Sequence, residues 1–155
     1  MLLKKSAIAF LALFLLSGCT TKKQSTTIAA VSPTATEYTK LSDFEKTIGD
    51  RVHFDYNKSE LSSTAKGQLH RQACWLKRHS NIKATIEGHC DARGTREYNL
   101  ALGERRAEAV SQYLQSQGVD KSRLDTISYG KEKPAVIGDN EAAWSQNRRA
   151  VTVVK

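Results

Sequence analysis

The chain has 155 residues, 39% of them hydrophobic and 26% charged, with 24 Lys and Arg against 16 Asp and Glu for a formal charge of +8. No stretch repeats, which excludes a solenoid or array, and the length leaves room for one ordinary domain with a single hydrophobic core. The positive balance suits an anionic polymer, either nucleic acid or cell wall, and by itself selects neither.

Residues 1–18 read as a signal peptide rather than as part of the fold. Lys4 and Lys5 form a positive n-region, and Ala7 to Leu16 form an unbroken apolar run of ten. As a helix that run is about 15 Å long, half a bilayer's hydrocarbon core, and too short to span it. It ends in Leu16-Ser17-Gly18-Cys19, small residues before a cysteine that resemble a bacterial lipobox, which implies lipidation of Cys19. An ordinary signal peptide with an incidental cysteine is the alternative. Several acyl chains on Cys19 would hold the protein stably, whereas one gives marginal binding. Thr20 follows the cysteine, not the aspartate that resembles an inner-membrane retention signal, and this implies the outer membrane. An exported protein meets little nucleic acid. The charge, +6 once Lys4 and Lys5 are removed from +8, therefore reads as attraction to the cell wall.

Residues 19–43 then form the lipidated cysteine and a tether. Thr20 to Lys40 is rich in Ser, Thr and Ala, holds Pro33 and lacks an apolar period, the composition of a disordered linker. Its reach is about 70 Å fully extended and roughly 25 Å as a relaxed coil.

The domain occupies residues 44–155. Arg51-Val52-His53-Phe54 reads as a short strand, and Asp55 to Ser59 as a turn. Either Ser59 or Ser62 caps a helix running to about Arg78, with Leu61, Ala65, Leu69, Gln72 or Ala73, and Leu76 at helical spacing. Ile82 to Glu87 alternates apolar and polar residues, as a half-buried strand does. A second helix is expected from about Arg96 to Gln117, stopped by Gly118. Leu100, Ala107, Val110 and Leu114 share one side of it, which is taken as the core face. Leu124 to Tyr129 reads as a third strand, Glu141 to Ser145 as a short helical turn and Ala150 to Val154 as a fourth strand. The order β-α-β-α-β-β predicts an α/β fold of the α+β sandwich kind, with helices packed on a mixed four-stranded sheet.

Two adjacent arginines of the second helix differ in phase. Arg105 falls nearly opposite the core face and points to solvent. Arg106 falls on its flank, aligned with Asn99 and Leu102, where a side chain can line a groove while its stem packs. Asp91 lies just past the C-terminal end of a strand, where α/β sheets commonly place ligands. A carboxylate there can accept an ammonium, and a guanidinium can grip a carboxylate with two hydrogen bonds. Backbone amides of Ala92 to Thr95, before the second helix, are further candidate donors to an anion. Simple pairing of Arg106 with an acid such as Asp91 is the alternative reading.

The run Gly88-His89-Cys90-Asp91-Ala92-Arg93-Gly94-Thr95-Arg96-Glu97-Tyr98-Asn99-Leu100-Ala101-Leu102-Gly103-Glu104-Arg105-Arg106-Ala107 closely resembles the signature of OmpA-like peptidoglycan-binding domains. The likeness extends from about Val52 to the C-terminus, including Ser128 to Pro134, and favours the family's lipid-anchored branch. It implies the same strand and helix order. It also implies that Asp91 and Arg106 bind the free end of diaminopimelate in a stem peptide, with Phe54, Asp55, Asn99 and Leu102 at matching positions. Asn147-Arg148-Arg149 matches a family motif before the last strand, with either a binding or a folding role for Arg148. By resemblance the protein would tie the outer membrane to peptidoglycan from the periplasmic side, and its partners would be TolB and other components of the Tol–Pal system. Cys90 stands where the family usually has alanine or threonine.

Enzyme and metal readings find little support. His53, His70, His79 and His89 are scattered, with no HExxH or CxxC spacing. Adjacent His89, Cys90 and Asp91 rarely ligate one ion together. No cofactor is expected, and a metal-dependent wall hydrolase is the rival. Cys74 and Cys90 are expected as free thiols, Cys74 buried, because the intervening helix and strand hold them too far apart for a bridge of about 5.5 Å.

Overall fold

A computed structural model describes residues 42–155. The expected signal peptide, Cys19 and the tether up to residue 41 lie outside the described residues. The elements are β1 (Arg51–His53), α1 (Ser63–Arg78), β2 (Ala84–His89), α2 (Arg96–Ser116), β3 (Leu124–Gly130), α3 (Glu141–Asn147) and β4 (Arg149–Val154). A π-helical turn at Phe44–Ile48 precedes them, and a 3-10 turn at Lys121–Arg123 leads into β3. Among the described residues no helix is long and apolar enough to cross a membrane.

The four strands make one sheet in the order β1-β4-β2-β3. β2 and β3 run parallel, joined by the α2 crossover, while β4 is antiparallel to both β1 and β2. Strand and helix order are as the sequence predicts, and no strand boundary moves by more than two residues. The core lies between the sheet and the helices: Val52, Ile86, Ala150 and Val154 from the strands meet Leu69, Leu76, Val110 and Leu114 from the helices. Each Val, Leu or Ile among them contributes roughly 1.5–3 kcal/mol when fully buried. Phe44, ahead of the first strand, joins this core against Trp75 with ring centroids 4.9 Å apart.

Local chemistry sets the helix ends. Ser62, not Ser59, caps α1 by accepting from Ala65 N at 3.1 Å, and Thr95 caps α2 by accepting from Tyr98 N at 3.2 Å. After α2, Gly118 adopts φ +91°, a conformation glycine reaches without strain.

Two burial expectations are corrected. Leu100 is 50% exposed although it shares helical phase with Ala107 and Leu114. The first turns of α2 overhang β3, the edge strand, where Ser128 Oγ donates to the Leu100 carbonyl, and among the described residues no strand lies beyond it. Cys74 is half-buried rather than buried: it lies two residues before Leu76, 200° around the helix from the core stripe. Both Cys74 and Cys90 are free thiols, and Cys90 is buried.

α2 lies close on β2. A Cβ on Gly88 would fall 1.8 Å from the Gly103 carbonyl oxygen, so this crossing requires glycine. The contact sets the depth at which Asn99, Leu102 and Arg106 stand over the C-terminal end of β2.

Candidate functional site

The loop after β2 begins with Cys90 and Asp91. Cys90 Sγ donates to the Asn99 carbonyl at 3.3 Å, and burial pushes its thiol pKa up. Asp91 is 5% exposed. Its Oδ1 accepts from Arg93 N and Nε, both at 3.2 Å, and its Oδ2 accepts from Arg93 Nη2 at 2.7 Å and Arg148 Nη1 at 3.5 Å. Burial alone would raise the Asp91 pKa. The hydrogen bonds and charge of Arg93, joined by Arg148, outweigh it and hold the carboxyl below its usual range. The carboxylate expected to be free is thus ionised and already paired.

Asn99 pins the rest of this loop by donating Nδ2 to the carbonyls of Arg93 at 2.7 Å and Thr95 at 2.9 Å. Gly94 between them takes φ +85°. One expected amide donor, Arg93 N, is spent on Asp91 itself, so the loop closes on its own carboxylate before any guest arrives.

Arg106 departs most from expectation. Its position on the helix flank is as predicted, yet the side chain is 1% exposed, because the segment after β1 folds over it. Nε donates to the Lys58 carbonyl at 2.9 Å, Nη1 to the His89 carbonyl at 2.8 Å and Nη2 to the Asp55 carbonyl at 3.2 Å. Its Cζ stands 5.1 Å from the Phe54 ring centroid. Burial lowers its pKa, but a guanidinium remains charged at any ordinary pH. Three of its five N–H groups are used on backbone carbonyls. The side chain also meets the Cys90 thiol and lines a pocket. Arg105 points to solvent, as its phase predicts.

The Asp55 side chain is 81% exposed and lies 3.5 Å from Lys58 Nζ, so it is the Asp55 carbonyl, not its carboxylate, that touches Arg106. Arg148 is buried and spans several partners. Nε donates to the Phe54 carbonyl at 3.0 Å, Nη1 to Asp91 and Nη2 to Glu141 Oε1 at 2.6 Å. Asn147 beside it fastens the preceding loop through Ala135 N, Val136 N and the Val136 carbonyl.

Asp91, Arg106, Asn99 and Leu102 line one pocket of about 60 Å³, with Cys90, Arg93, Tyr56 and Tyr98 completing its wall. Phe54, Asp55 and Arg148 line a larger, shallower groove of about 720 Å³ along β1 and the start of α1. The larger concavity is therefore not the one holding Asp91 and Arg106, and the Arg148–Asp91 contact is the partition between the two. His89, one residue from Cys90, packs on Tyr129 instead, with centroids 5.5 Å apart. Burial, reinforced by the charge of Arg149, pushes its pKa down to about 4.

The sequence reading gave no role to the side chains of Arg93, Tyr56, Trp144 or Glu141. The spacing Asp91-x-Arg93, which favours a turn closed by the aspartate, was the available signal for Arg93. The aromatic residues come from distant segments and carried none.

The model of the OmpA family matches residues 53–148. The chain is 56% identical over 112 residues to the "Peptidoglycan-associated lipoprotein" of Agrobacterium fabrum, covering 72% of this chain and 63% of that one. To the protein of the same name from Rhizobium meliloti it is 48% identical, covering 95% of this chain and 85% of that one. The crystal structure of the peptidoglycan-associated lipoprotein from Burkholderia pseudomallei superposes with a TM-score of 0.70 at 40% identity, over 75% of this chain and 99% of that one.

Proposed function

The chain belongs to the OmpA family, among relatives that are peptidoglycan-associated lipoproteins, and from that premise we propose that it is a non-enzymatic anchor. It is lipidated at Cys19, held in the outer membrane, and grips peptidoglycan from the periplasm through the free end of diaminopimelate. TolB of the Tol–Pal system is its protein partner in this reading, competing with the wall.

The observation that carries the wall-binding reading is the pair of opposite charges in one pocket. Asp91 is kept ionised, and the Arg106 guanidinium lines the same pocket. An ammonium takes the carboxylate, and a carboxylate takes the guanidinium. Each charged hydrogen bond contributes about 1.5–3 kcal/mol. Asn99 and Leu102 shape the pocket, while Phe54, Asp55 and Arg148 support it from the adjoining groove.

Co-sedimentation with purified diaminopimelate-containing peptidoglycan tests this. The chain should pellet, Asp91→Ala should stay in solution, and no muropeptides should be released. Fragments released in a chelator-sensitive way would restore the hydrolase reading, and equal pelleting of Asp91→Ala would remove the pocket from wall binding.

A further inference from the structure

α1 and the turn after it carry charge of one sign. No Asp or Glu occurs between Glu60 and Glu87, a stretch that holds Lys66, Arg71, Lys77, Arg78 and Lys83. At 100° per residue, Lys66, Lys77, His70, Cys74, Arg78 and Arg71 fall within an arc of about 140°. That arc lies on the side of α1 away from Ala65, Leu69, Ala73 and Leu76, which face the core. Lys66, Arg71, Lys77 and Arg78 are exposed, and none forms an ion pair with a described residue. α2 is different: it exposes Glu97, Glu104 and Glu108 together with Arg96 and Arg105, the mixed signs of a helix face that is only solvated.

The chain enters the domain beside the basic face. Phe44 packs on Trp75, and the Gly49 carbonyl accepts from Gln68 Nε2 at 2.7 Å and Gln72 Nε2 at 2.8 Å, so residues 44–49 run along the flank of α1. This turn also exposes Asp43 and Glu45, with Lys46 next to them. The wall pocket lies elsewhere. None of its lining residues belongs to α1, and it opens at the C-terminal end of β2, whereas Arg78 closes α1 shortly before β2 begins.

Resting on the lipid-anchor reading above, we propose that this face of α1 is a docking surface for the anionic phospholipid headgroups of the membrane that holds the anchor. Lys66, Arg71, Lys77 and Arg78 take the headgroup phosphates, the arginines through their planar forks. The core beneath stays closed, so the contact is electrostatic and lies at the surface of the bilayer. Each Lys or Arg near an anionic leaflet adds roughly fivefold to binding. The tether makes the contact intramolecular, so a small number of such cations suffices. Because α1 contributes nothing to the pocket, the docked domain still presents that pocket to the wall.

The test uses the lipidated full chain reconstituted in vesicles of phosphatidylcholine, either alone or mixed with phosphatidylglycerol. A water-soluble acylating reagent labels the lysines, and mass spectrometry gives the rate at each. Lys66 and Lys77 should react severalfold more slowly on the anionic vesicles, and added salt should abolish the difference. Lys131, which reaches the Gly94 carbonyl of the pocket loop, should react equally on both. Arg71→Gln combined with Arg78→Gln alters two exposed side chains and keeps both reporter lysines. It should bring their rates on anionic vesicles back towards those on neutral ones. Equal rates for Lys66 and Lys77 on the two kinds of vesicle, or a slowing that the double variant keeps in full, overturns this assignment while the anchor reading stands. Slowing by purified peptidoglycan and not by anionic vesicles overturns it in favour of the wall. A chain that remains with neither kind of vesicle sinks the anchor reading, and this one with it.

Discussion

Arg106 Nη1 donates to the His89 carbonyl at 2.8 Å, so a buried guanidinium ties the middle of α2 to the end of β2. The same side chain reaches the Asp55 and Lys58 carbonyls across about fifty residues of sequence. A cation this enclosed is at once part of the pocket and part of the fold.

Arg106→Ala should therefore lower stability. It takes the donor from the His89 and Lys58 carbonyls, at about 1–3 kcal/mol for each left buried without one, while the Asp55 carbonyl keeps Lys58 N. A loss on the order of 3 kcal/mol or more is expected in denaturant unfolding, against less than about 0.5 kcal/mol for the exposed Arg105→Ala. Equal midpoints for the two variants would show that Arg106 is not structural. Any wall-binding defect of Arg106→Ala has to be read beside this loss, and for that reason Asp91 is the cleaner probe of the pocket.

The glycines of the α2–β2 crossing make a second, independent test. Gly88→Ala should destabilise by at least about 1–3 kcal/mol, because its new methyl meets the Gly103 backbone rather than a side chain that can move aside. Gly67→Ala in α1 has open space around it and should stabilise by roughly 0.5–1 kcal/mol. Thermal melts of both variants check the pair of opposite signs.

His89 predicts a pH dependence of stability. Its folded pKa is pushed down to about 4 from an ordinary 6.5, so between those values the unfolded chain binds a proton that the folded chain refuses. Stability should be full above pH 6.5 and fall as the pH drops towards 4, by at most about 3 kcal/mol. His89→Phe should flatten the curve in this window. Asp91 acts lower: its folded pKa lies below the usual 3.8, so its contribution is present above that value and is lost only in stronger acid. Unfolding of wild type and His89→Phe at pH 7 and pH 5 separates the two groups.

The two cysteines should differ in reactivity. Cys74 stands half-buried with Sγ 3.7 Å from His70 Nε2, while Cys90 is enclosed, with its thiol pKa raised by burial. Iodoacetamide should label Cys74 in the native protein and Cys90 only after unfolding. Mass spectrometry of the labelled peptides decides it, and native labelling of Cys90 would mean that the pocket opens readily.

The strand and helix order was legible in the sequence because the alternation at Ile82–Glu87 and the helical spacing from Leu69 to Leu76 and from Ala107 to Leu114 are local signals. Helical phase also separated Arg105 from Arg106. Phase gives a direction and not what lies along it. Leu100 points the same way as Ala107 but overhangs the edge of the sheet, and Arg106 points off the core yet is roofed by the segment after β1. Both outcomes depend on contacts across tens of residues. The contacts of Arg93 are of the same kind, since its Cζ stands 4.1 Å from the ring centroids of both Tyr56, after β1, and Trp144, in α3. The place of Asp91 at a strand end is a local fact that the sequence shows. Its pairing with Arg93, two residues on, had a local signal, whereas Arg148 approaches from 57 residues away.

Titration of the full chain with a soluble muropeptide carrying diaminopimelate, beside Asp91→Asn and a matched muropeptide carrying lysine, tests the pocket most directly. Asn keeps the shape of Asp91 and removes its charge. Saturable binding of the diaminopimelate form, weakened tenfold or more by Asp91→Asn and by the lysine substitution, is the expected result. Equal binding by Asp91→Asn, or equal affinity for the two muropeptides, would contradict the account.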